Sequence, residues 1–150
     1  MDIWQRLVDY WRRCGVTIRP GVDLAAVVTF EAEYQTVLPS DVRSYFEVVD
    51  GMWDQMDPDL IRFWPLNEMK PVHEVLTGAN PDRFAYPSCF LFADHCISCW
   101  CYAVKLGESS EERGAVFLVT GGEPPGKKLA DSIAEFVEMY LTDVKSIYPP

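Results

Sequence analysis

The sequence predicts a single α+β domain in which helices at both ends of the chain pack on a mostly antiparallel sheet. Three observations indicate this class. The first 50 residues show helical periodicity, residues 60–120 contain short apolar runs between turn residues, and residues 133–141 return to the helical period. Because helices and strands are segregated along the chain, the pattern favours α+β over a doubly wound parallel sheet.

Three helices are predicted in the N-terminal third. Apolar side chains recur every three or four residues in segments 3–14, 27–37 and 42–49, as expected for one face of a helix. The second helix should end before Pro39, because the residue before a proline avoids helical backbone. The third should begin at a cap on Ser40 and end at Asp50-Gly51.

The middle of the chain is predicted to form strands. The predicted strands are residues 60–64, 89–93, 97–106 and 115–120. A brief helix is expected at 71–76, and Gly78, Asn80-Pro81 and Pro87 indicate a loop at 77–88. The last three strands follow one another closely, which favours an antiparallel meander.

A final helix is predicted near the C-terminus. Ser132 and Glu135 have the spacing of a capping box, and the apolar residues behind them continue to Leu141. This helix should end before Pro149. Repeats and long linkers are absent from the sequence, so residues 1–150 are interpreted as one domain.

Composition and charge restrict the function. With 150 residues, 49% hydrophobic and 24% charged, the chain has an ordinary globular composition. Its net charge of −10 argues against nucleic acid as a ligand, because phosphates require a basic surface. Residues 1–20 carry a net charge of +2, whereas residues 31–74 hold ten acidic and three basic residues. The acidic excess is therefore local, and it suits a basic partner.

The sequence also predicts a cytoplasmic protein without a membrane segment. Residues 1–13 lack the apolar core and small-residue cleavage site of a signal peptide. Apolar runs all fall well short of the roughly 20 residues that span a bilayer. Five cysteines are an odd number, which is a poor basis for disulfide pairing and is typical of a reducing compartment.

A cluster of cysteines and one histidine is a candidate metal site. Its members are Cys89, His95, Cys96, Cys99 and Cys101. Structural zinc usually takes two short-spaced ligand pairs, and the chain contains only one Cys-x-x-Cys. Strand alternation would also place Cys99 and Cys101 on one face with Ile97 and Ala103, as small core residues. We therefore predict no metal or other cofactor, with a zinc or thiol site kept as the alternative.

Other enzymatic interpretations are weaker still. His73 could pair with a cysteine nucleophile, but with two histidines such a pair can always be drawn. Asp54, Asp57 and Asp59 are close in sequence, yet their segment has the composition of a solvated loop. Nucleotide-binding and hydrolase motifs do not occur in the sequence. The sequence therefore predicts a protein that binds and does not catalyse.

Aromatic residues suggest where it binds. Trp53 lies among Asp50, Asp54, Asp57 and Asp59, and exposed indoles are expected around Trp53 and Trp64. Tryptophan and tyrosine are preferred anchors of protein interfaces, and acidic neighbours complement a basic partner. This segment is therefore the predicted docking site for a basic protein.

Ordered motifs connect the chain with a known family. They are Phe30-Glu31-x-Glu33, Leu38-Pro39-x-Asp41-Val42-x-x-Tyr45-Phe46, Asp50-Gly51, Phe63-Trp64-Pro65-Leu66-x-Glu68, Phe92-Ala93-Asp94 and Leu129-Ala130-Asp131-Ser132-x-x-Glu135-Phe136. Their order resembles that of the Smi/Knr-like SUKH superfamily over about residues 24–141. The chain departs from the family after Asp94, where His95-Cys96-Ile97-Ser98 replaces a turn that often contains Gly and Asn, and at Val104-Lys105, where an acidic residue is common.

The resemblance implies a bent antiparallel sheet with helices packed on it. Bacterial members are largely immunity proteins that neutralise a toxin domain, often a nuclease, and eukaryotic members are regulatory hubs; neither branch is enzymatic. We therefore predict an immunity protein that binds a basic toxin domain, with a regulatory scaffold as the alternative. The predicted partner-binding residues are Asp50, Trp53, Asp54, Asp57, Asp59, Trp64, Glu68 and Asp94.

Overall fold

Helices occupy both ends of the chain, as predicted. The computed structural model describes residues 1–75, 88–107, 112–120 and 126–150, so most of the loop predicted at 77–88 lies outside the described residues. The helices are α1 (Ile3–Arg13), α2 (Leu24–Tyr34), α3 (Ser40–Val48), α4 (Val72–Val75) and α5 (Ile133–Thr142), with short 3₁₀ helices at Leu66–Glu68 and Val144–Ile147. In the part of the chain described, no helix has the length and apolar character to cross a membrane.

Local capping explains two of the helix starts. The Asp2 carboxylate accepts a hydrogen bond from the Gln5 N–H at 2.8 Å and begins α1. The Ser132 hydroxyl accepts one from the Glu135 N–H at 3.0 Å and begins α5, which confirms the predicted cap. By contrast, α3 has Pro39 at its cap position and lacks a side-chain cap, so the role predicted for Ser40 is wrong.

The strands form two antiparallel sheets. They are β1 (Ile18–Pro20), β2 (Val49–Met52), β3 (Ile61–Phe63), β4 (Lys70–Pro71), β5 (Cys89–His95), β6 (Trp100–Lys105), β7 (Val116–Val119) and β8 (Lys128–Ala130). Strands β1 and β2 pair with each other, and the larger sheet has the order β3-β5-β6-β7-β8, with β4 also pairing with β5. The predicted meander is therefore confirmed as β5-β6-β7, and the fold is α+β.

Strands β1, β4 and β8 were not predicted, and two further segments differ from the prediction. Asp50-Gly51 does not end a helix but lies inside β2, where Gly51 has a φ of +61° and packs against the backbone of Trp64. A Cβ at Gly51 would come within 2.6 Å of the Trp64 carbonyl group, so only glycine fits. The strand predicted at 97–106 starts at Trp100, because residues 96–99 form the turn after β5.

The two faces of the larger sheet bury different sets of side chains. One face packs on the helices, with Phe63 at its centre in contact with five rings: Trp11, Tyr45, Phe92, Phe136 and Tyr140. The opposite face buries Trp64, Leu91, Cys101 and Phe117. Alternation along β6 sends Tyr102 and Val104 to the helix side and Cys101 and Ala103 to the other, as predicted.

Candidate functional site

The loop at residues 53–60, here called the Trp53 loop, joins β2 to β3. The buried carboxylate of Asp57 anchors it to the core. Asp57 is only 3% exposed. It accepts hydrogen bonds from the backbone N–H groups of Asp59 at 2.8 Å and Ile61 at 3.0 Å, and from the Tyr140 hydroxyl. Tyr140 in turn accepts one from the Trp11 indole at 3.1 Å. This network connects the loop to α1 and α5.

The same burial changes the acidity of the carboxyl group. Desolvation raises the pKa of Asp57, although the hydrogen bonds from Tyr140 and the backbone act in the opposite direction. A carboxyl group with its oxygens turned inward and occupied cannot reach a partner. Asp57 therefore supports the loop and does not form part of its outer surface.

Trp53 is the one aromatic residue of the loop. The Arg19 guanidinium, which is itself paired with Asp50, contacts its ring. Its side chain is 48% exposed. The Arg19 guanidinium lies 4.1 Å from the centre of its ring and donates a hydrogen bond to Asp50 at 3.0 Å. Asp50 also accepts one from the Leu66 N–H at 2.7 Å and is buried. The indole is thus fixed from one side, which reduces the entropy it would lose on binding.

Arg62 closes the base of the loop. Its guanidinium donates to the carbonyl groups of Met52 and Trp53 and to both carboxylate oxygens of Glu68. Glu68 is exposed, but its charge is matched by this bidentate pair. The pair therefore stabilises the loop and adds little net charge to the surface.

The turn between β5 and β6, residues 96–99, is here called the hairpin tip. Its Cys96 N–H donates to the Leu60 carbonyl at 2.8 Å, which ties the tip to the Trp53 loop. Asp94 is buried and accepts from the N–H and hydroxyl groups of Ser98 at 3.1 and 3.2 Å. Cys96, Ile97 and Ser98 all have positive φ, of 48°, 56° and 64°.

Ile97 is the unusual residue of the tip. A β-branched side chain in left-handed backbone is strained, and Ile97 is also 82% exposed, so packing does not compensate for the strain. The SUKH resemblance leads one to expect Gly or Asn near this turn, and either would adopt positive φ more easily. The chain instead presents an apolar side chain at a position where it costs stability.

Loop and tip together form one surface. We define the loop–tip surface as the exposed residues Trp53, Asp54, Met56, Leu60 and Ile97. Asp54, Met56 and Ile97 surround a small cavity of about 180 Å³, with Arg62 and Asp94 at its wall. Four apolar side chains and an acidic one are therefore exposed on the loop and the tip, which the Cys96–Leu60 hydrogen bond joins. Among the described residues, Asp54 has no ion-pair partner.

The structure divides the predicted partner-binding residues into exposed and buried ones. Trp53, Asp54 and Glu68 are exposed and Asp59 is half-buried, with the Tyr10 hydroxyl 3.5 Å from its carboxylate. Asp50, Asp57 and Asp94 are buried and hydrogen bonded within the protein. The expectation of an exposed Trp64 is wrong, because this indole is only 9% exposed and packs on the outer face of the sheet.

Sequence reasoning missed three exposed members of the surface, namely Met56, Leu60 and Ile97. Strand alternation assigned Ile97 to a buried face, because the turn was interpreted as part of a strand. The motif comparison pointed to the tip, since it noted the loss of the expected Gly and Asn there.

The cysteine–histidine cluster is dispersed in the structure. Cys89 and Cys101 are buried on the outer face of the sheet, and burial raises the pKa of Cys89 to about 12 and of Cys101 to about 11. His95 stacks on Trp100, with ring centres 3.9 Å apart. In the described residues, no three His, Cys, Asp or Glu side chains are grouped to hold a metal ion. His73 lies exposed on α4. Burial therefore disfavours the thiolate forms of Cys89 and Cys101.

A larger cavity, of about 400 Å³, lies between α2 and the segment 66–70. Its walls are mostly apolar and include Val22, Phe30 and Met69. Asp50 also lines it, but this carboxylate is already bound to Arg19 and to the Leu66 N–H. Glu33, Asn67 and Lys70 also line the cavity, so it combines apolar walls with a few polar groups.

A known protein family matches most of the chain. The sequence model of the SMI1 / KNR4 family (SUKH-1) matches residues 21–139. The chain belongs to the SMI1 / KNR4 family. This confirms the resemblance seen in the ordered motifs, and SUKH proteins are generally binding and immunity proteins and not enzymes. A comparison with curated proteins finds no match.

Proposed function

We propose that this SUKH protein is a cytoplasmic immunity protein that neutralises a basic toxin domain by binding it through the loop–tip surface. The observation that carries the proposal is the set of exposed apolar side chains on the Trp53 loop and the hairpin tip, with the loop anchored by Asp57 and the Trp53 ring in contact with Arg19. Family membership supports an immunity-type role, and the net charge of −10 supports a basic partner. In this proposal the chain acts by covering the toxin and performs no reaction.

The apolar members of the surface would supply most of the affinity. Trp53, Met56, Leu60 and Ile97 are exposed in the free protein and would be removed from water at an interface. Large aromatic side chains that are already fixed tend to dominate such interfaces. Trp53 meets both conditions, since Arg19 holds its ring.

The charge would mainly increase the rate of association. Asp54 lies on the surface itself and Asp59 beside it, while Arg62 and Glu68 compensate each other. Attraction between an acidic protein and a basic partner raises the rate of encounter about 10- to 1,000-fold at low salt. Asp50, Asp57 and Asp94 are left out of this role because they are buried.

The first test uses the purified toxin domain encoded beside the gene for this chain, with its active site disabled. Association should slow about tenfold or more from low to high salt, because the Debye length shrinks from about 30 Å to about 3 Å. Asp54→Lys should slow association further, whereas Glu47→Lys makes the same charge change on α3, outside the surface, and should have a smaller effect. Stopped-flow mixing measures both rates.

Two outcomes would contradict the proposal in different ways. If the neighbouring toxin domain does not bind, the immunity role fails and the regulatory scaffold becomes the better interpretation. If it binds but Asp54→Lys and Glu47→Lys behave alike, the immunity role stands and the loop–tip surface is the wrong interface.

The strain at Ile97 gives a second test. Ile97→Gly is expected to raise the free energy of unfolding by about 1 kcal/mol, because glycine adopts the left-handed backbone without the steric cost of a Cβ. The same change should weaken binding of the toxin domain, since it removes an exposed apolar contact. Denaturant unfolding and equilibrium binding measure the two effects separately.

Ile97→Ala is the matched control, because alanine loses the apolar side chain but keeps the Cβ. Ile97→Ala should weaken binding as Ile97→Gly does, but its free energy of unfolding should rise by less than that of Ile97→Gly, because the Cβ remains. Binding left intact in both variants would show that the strained isoleucine has no part in the interface.

A further inference from the structure

Two of the five cysteines lie at the ends of the hairpin tip. Cys96 and Cys99 are the first and last residues of the turn that links β5 to β6, next to the paired residues His95 and Trp100. The turn is closed by a hydrogen bond from the Cys99 N–H to the His95 carbonyl at 2.9 Å. First and last residues of a four-residue turn have Cα atoms less than about 7 Å apart.

The thiol of Cys99 points back toward Cys96. Its sulfur lies 3.1 Å from the Cys96 carbonyl oxygen, to which it donates a hydrogen bond. Disulfides join cysteines with Cα atoms about 4.4 to 6.8 Å apart, so the turn already holds these residues near bonding distance. The left-handed backbone of residues 96–98 winds this segment into a tight turn and keeps the two cysteines close together.

Accessibility distinguishes this pair from the other cysteines. Cys99 is exposed and Cys96 is half-buried, whereas Cys89 and Cys101 are buried. Cys14 is half-buried at the end of α1, where it interacts with the Tyr10 hydroxyl. An oxidant in solution therefore reaches Cys99 first, and the nearest second thiol belongs to Cys96.

We propose that Cys96 and Cys99 form a reversible disulfide by exchange with small disulfides such as oxidised glutathione. The Cys99 thiolate attacks one sulfur of oxidised glutathione and expels the first glutathione thiolate, leaving a mixed disulfide on Cys99. The Cys96 thiolate then attacks the Cys99 sulfur and expels the second. The protein loses two electrons and two protons, and oxidised glutathione becomes two reduced molecules.

A disulfide between Cys96 and Cys99 would hold the tip in the turn conformation that the structure shows. Ile97 lies between the two cysteines, so a disulfide would restrict the backbone that presents this side chain. Reducing conditions would leave the turn held only by its hydrogen bonds. This thiol chemistry belongs to the tip itself and does not depend on the identity of any partner.

The surroundings also predict how the reaction depends on pH. Desolvation, then the Cys96 thiol and the Asp94 carboxylate, raise the pKa of the Cys99 thiol. Because the thiolate is the attacking form, exchange should become faster as the pH rises. Tests are therefore best performed at about pH 8.5.

The experiment treats the reduced full chain with oxidised glutathione, blocks the remaining thiols with an alkylating reagent and measures the mass of the protein and its peptides. We expect loss of two of the five free thiols and a peptide in which Cys96 and Cys99 are bridged. Cys96→Ser should instead accumulate one glutathione on Cys99, because the resolving thiol is missing. Cys14→Ser is the control and should still form the bridge.

Several results would overturn the proposal. Five free thiols after prolonged exposure would exclude it, as would a bridge that includes Cys14, Cys89 or Cys101. A Cys96→Ser protein that takes up no glutathione would show that Cys99 is not the attacking thiol. Thermal unfolding of each variant, measured in reducing buffer, confirms that the comparison is made on folded proteins.

Discussion

Replacing Asp57 with alanine is expected to lower the free energy of unfolding by about 3 kcal/mol. The change removes an acceptor used by the N–H groups of Asp59 and Ile61 and by the Tyr140 hydroxyl, and it leaves the last two of these donors buried. Each unsatisfied buried donor costs about 1 to 3 kcal/mol, although water entering the gap would recover part of the loss. For a chain of this size, the melting temperature should fall by about 6 to 12 °C.

Asp54→Ala is the matched control for this prediction. It removes a carboxylate from the same loop, but one that is exposed and without an ion-pair partner among the described residues. Its unfolding free energy should change by less than about 0.5 kcal/mol. Equal losses in the two variants would mean that the buried network does not hold the loop. Denaturant unfolding monitored by circular dichroism provides both values.

Trp53→Ala is expected to weaken binding of the toxin domain about 30-fold or more, which corresponds to at least about 2 kcal/mol. The indole is the largest exposed side chain of the loop–tip surface, and Arg19 holds it in position before binding. The affinity should be lost mainly through faster dissociation, because the charges that control encounter are unchanged. Biosensor kinetics with the purified toxin domain measure both rate constants.

Leu24→Ala provides the comparison for Trp53. Leu24 is 68% exposed on α2, so truncating it removes a similarly accessible apolar side chain outside the surface. The affinity should stay within about threefold of that of the unaltered protein, as expected for a residue outside the interface. If Leu24→Ala lost as much affinity as Trp53→Ala, or if neither lost any, Trp53 would not be the anchor of this interface.

Local patterns were sufficient to predict most of the secondary structure. The periodic apolar residues of α1 and α5 and the meander β5-β6-β7 depend on side chains close in sequence, and all three were found as predicted. Strands β1 and β2 depend instead on pairing between residues far apart in the sequence. They are short, they pair across about 30 residues, and β2 contains Asp50-Gly51, which locally resembles a helix end. Only the tertiary contact with Trp64 explains that glycine.

The candidate site was less predictable than the fold, because charge in a sequence does not reveal which side chains are buried. Asp50, Asp54, Asp57 and Asp59 appear equivalent around Trp53 in sequence. In the structure two of them bind buried donors and the other two retain contact with solvent. Ile97 shows the opposite case, since it was predicted to lie on a buried strand face and is instead 82% exposed.

The chain of hydrogen bonds from Trp11 through Tyr140 to Asp57 also bears on where the folding unit begins and ends. Trp11 precedes the segment matched by the SMI1 / KNR4 family, and Tyr140 follows it directly. Both rings pack on Phe63, the centre of the helix-side core. A fragment cut to residues 21–139 would therefore lack two of the rings that pack on Phe63, so the folding unit extends beyond the segment that matches the family.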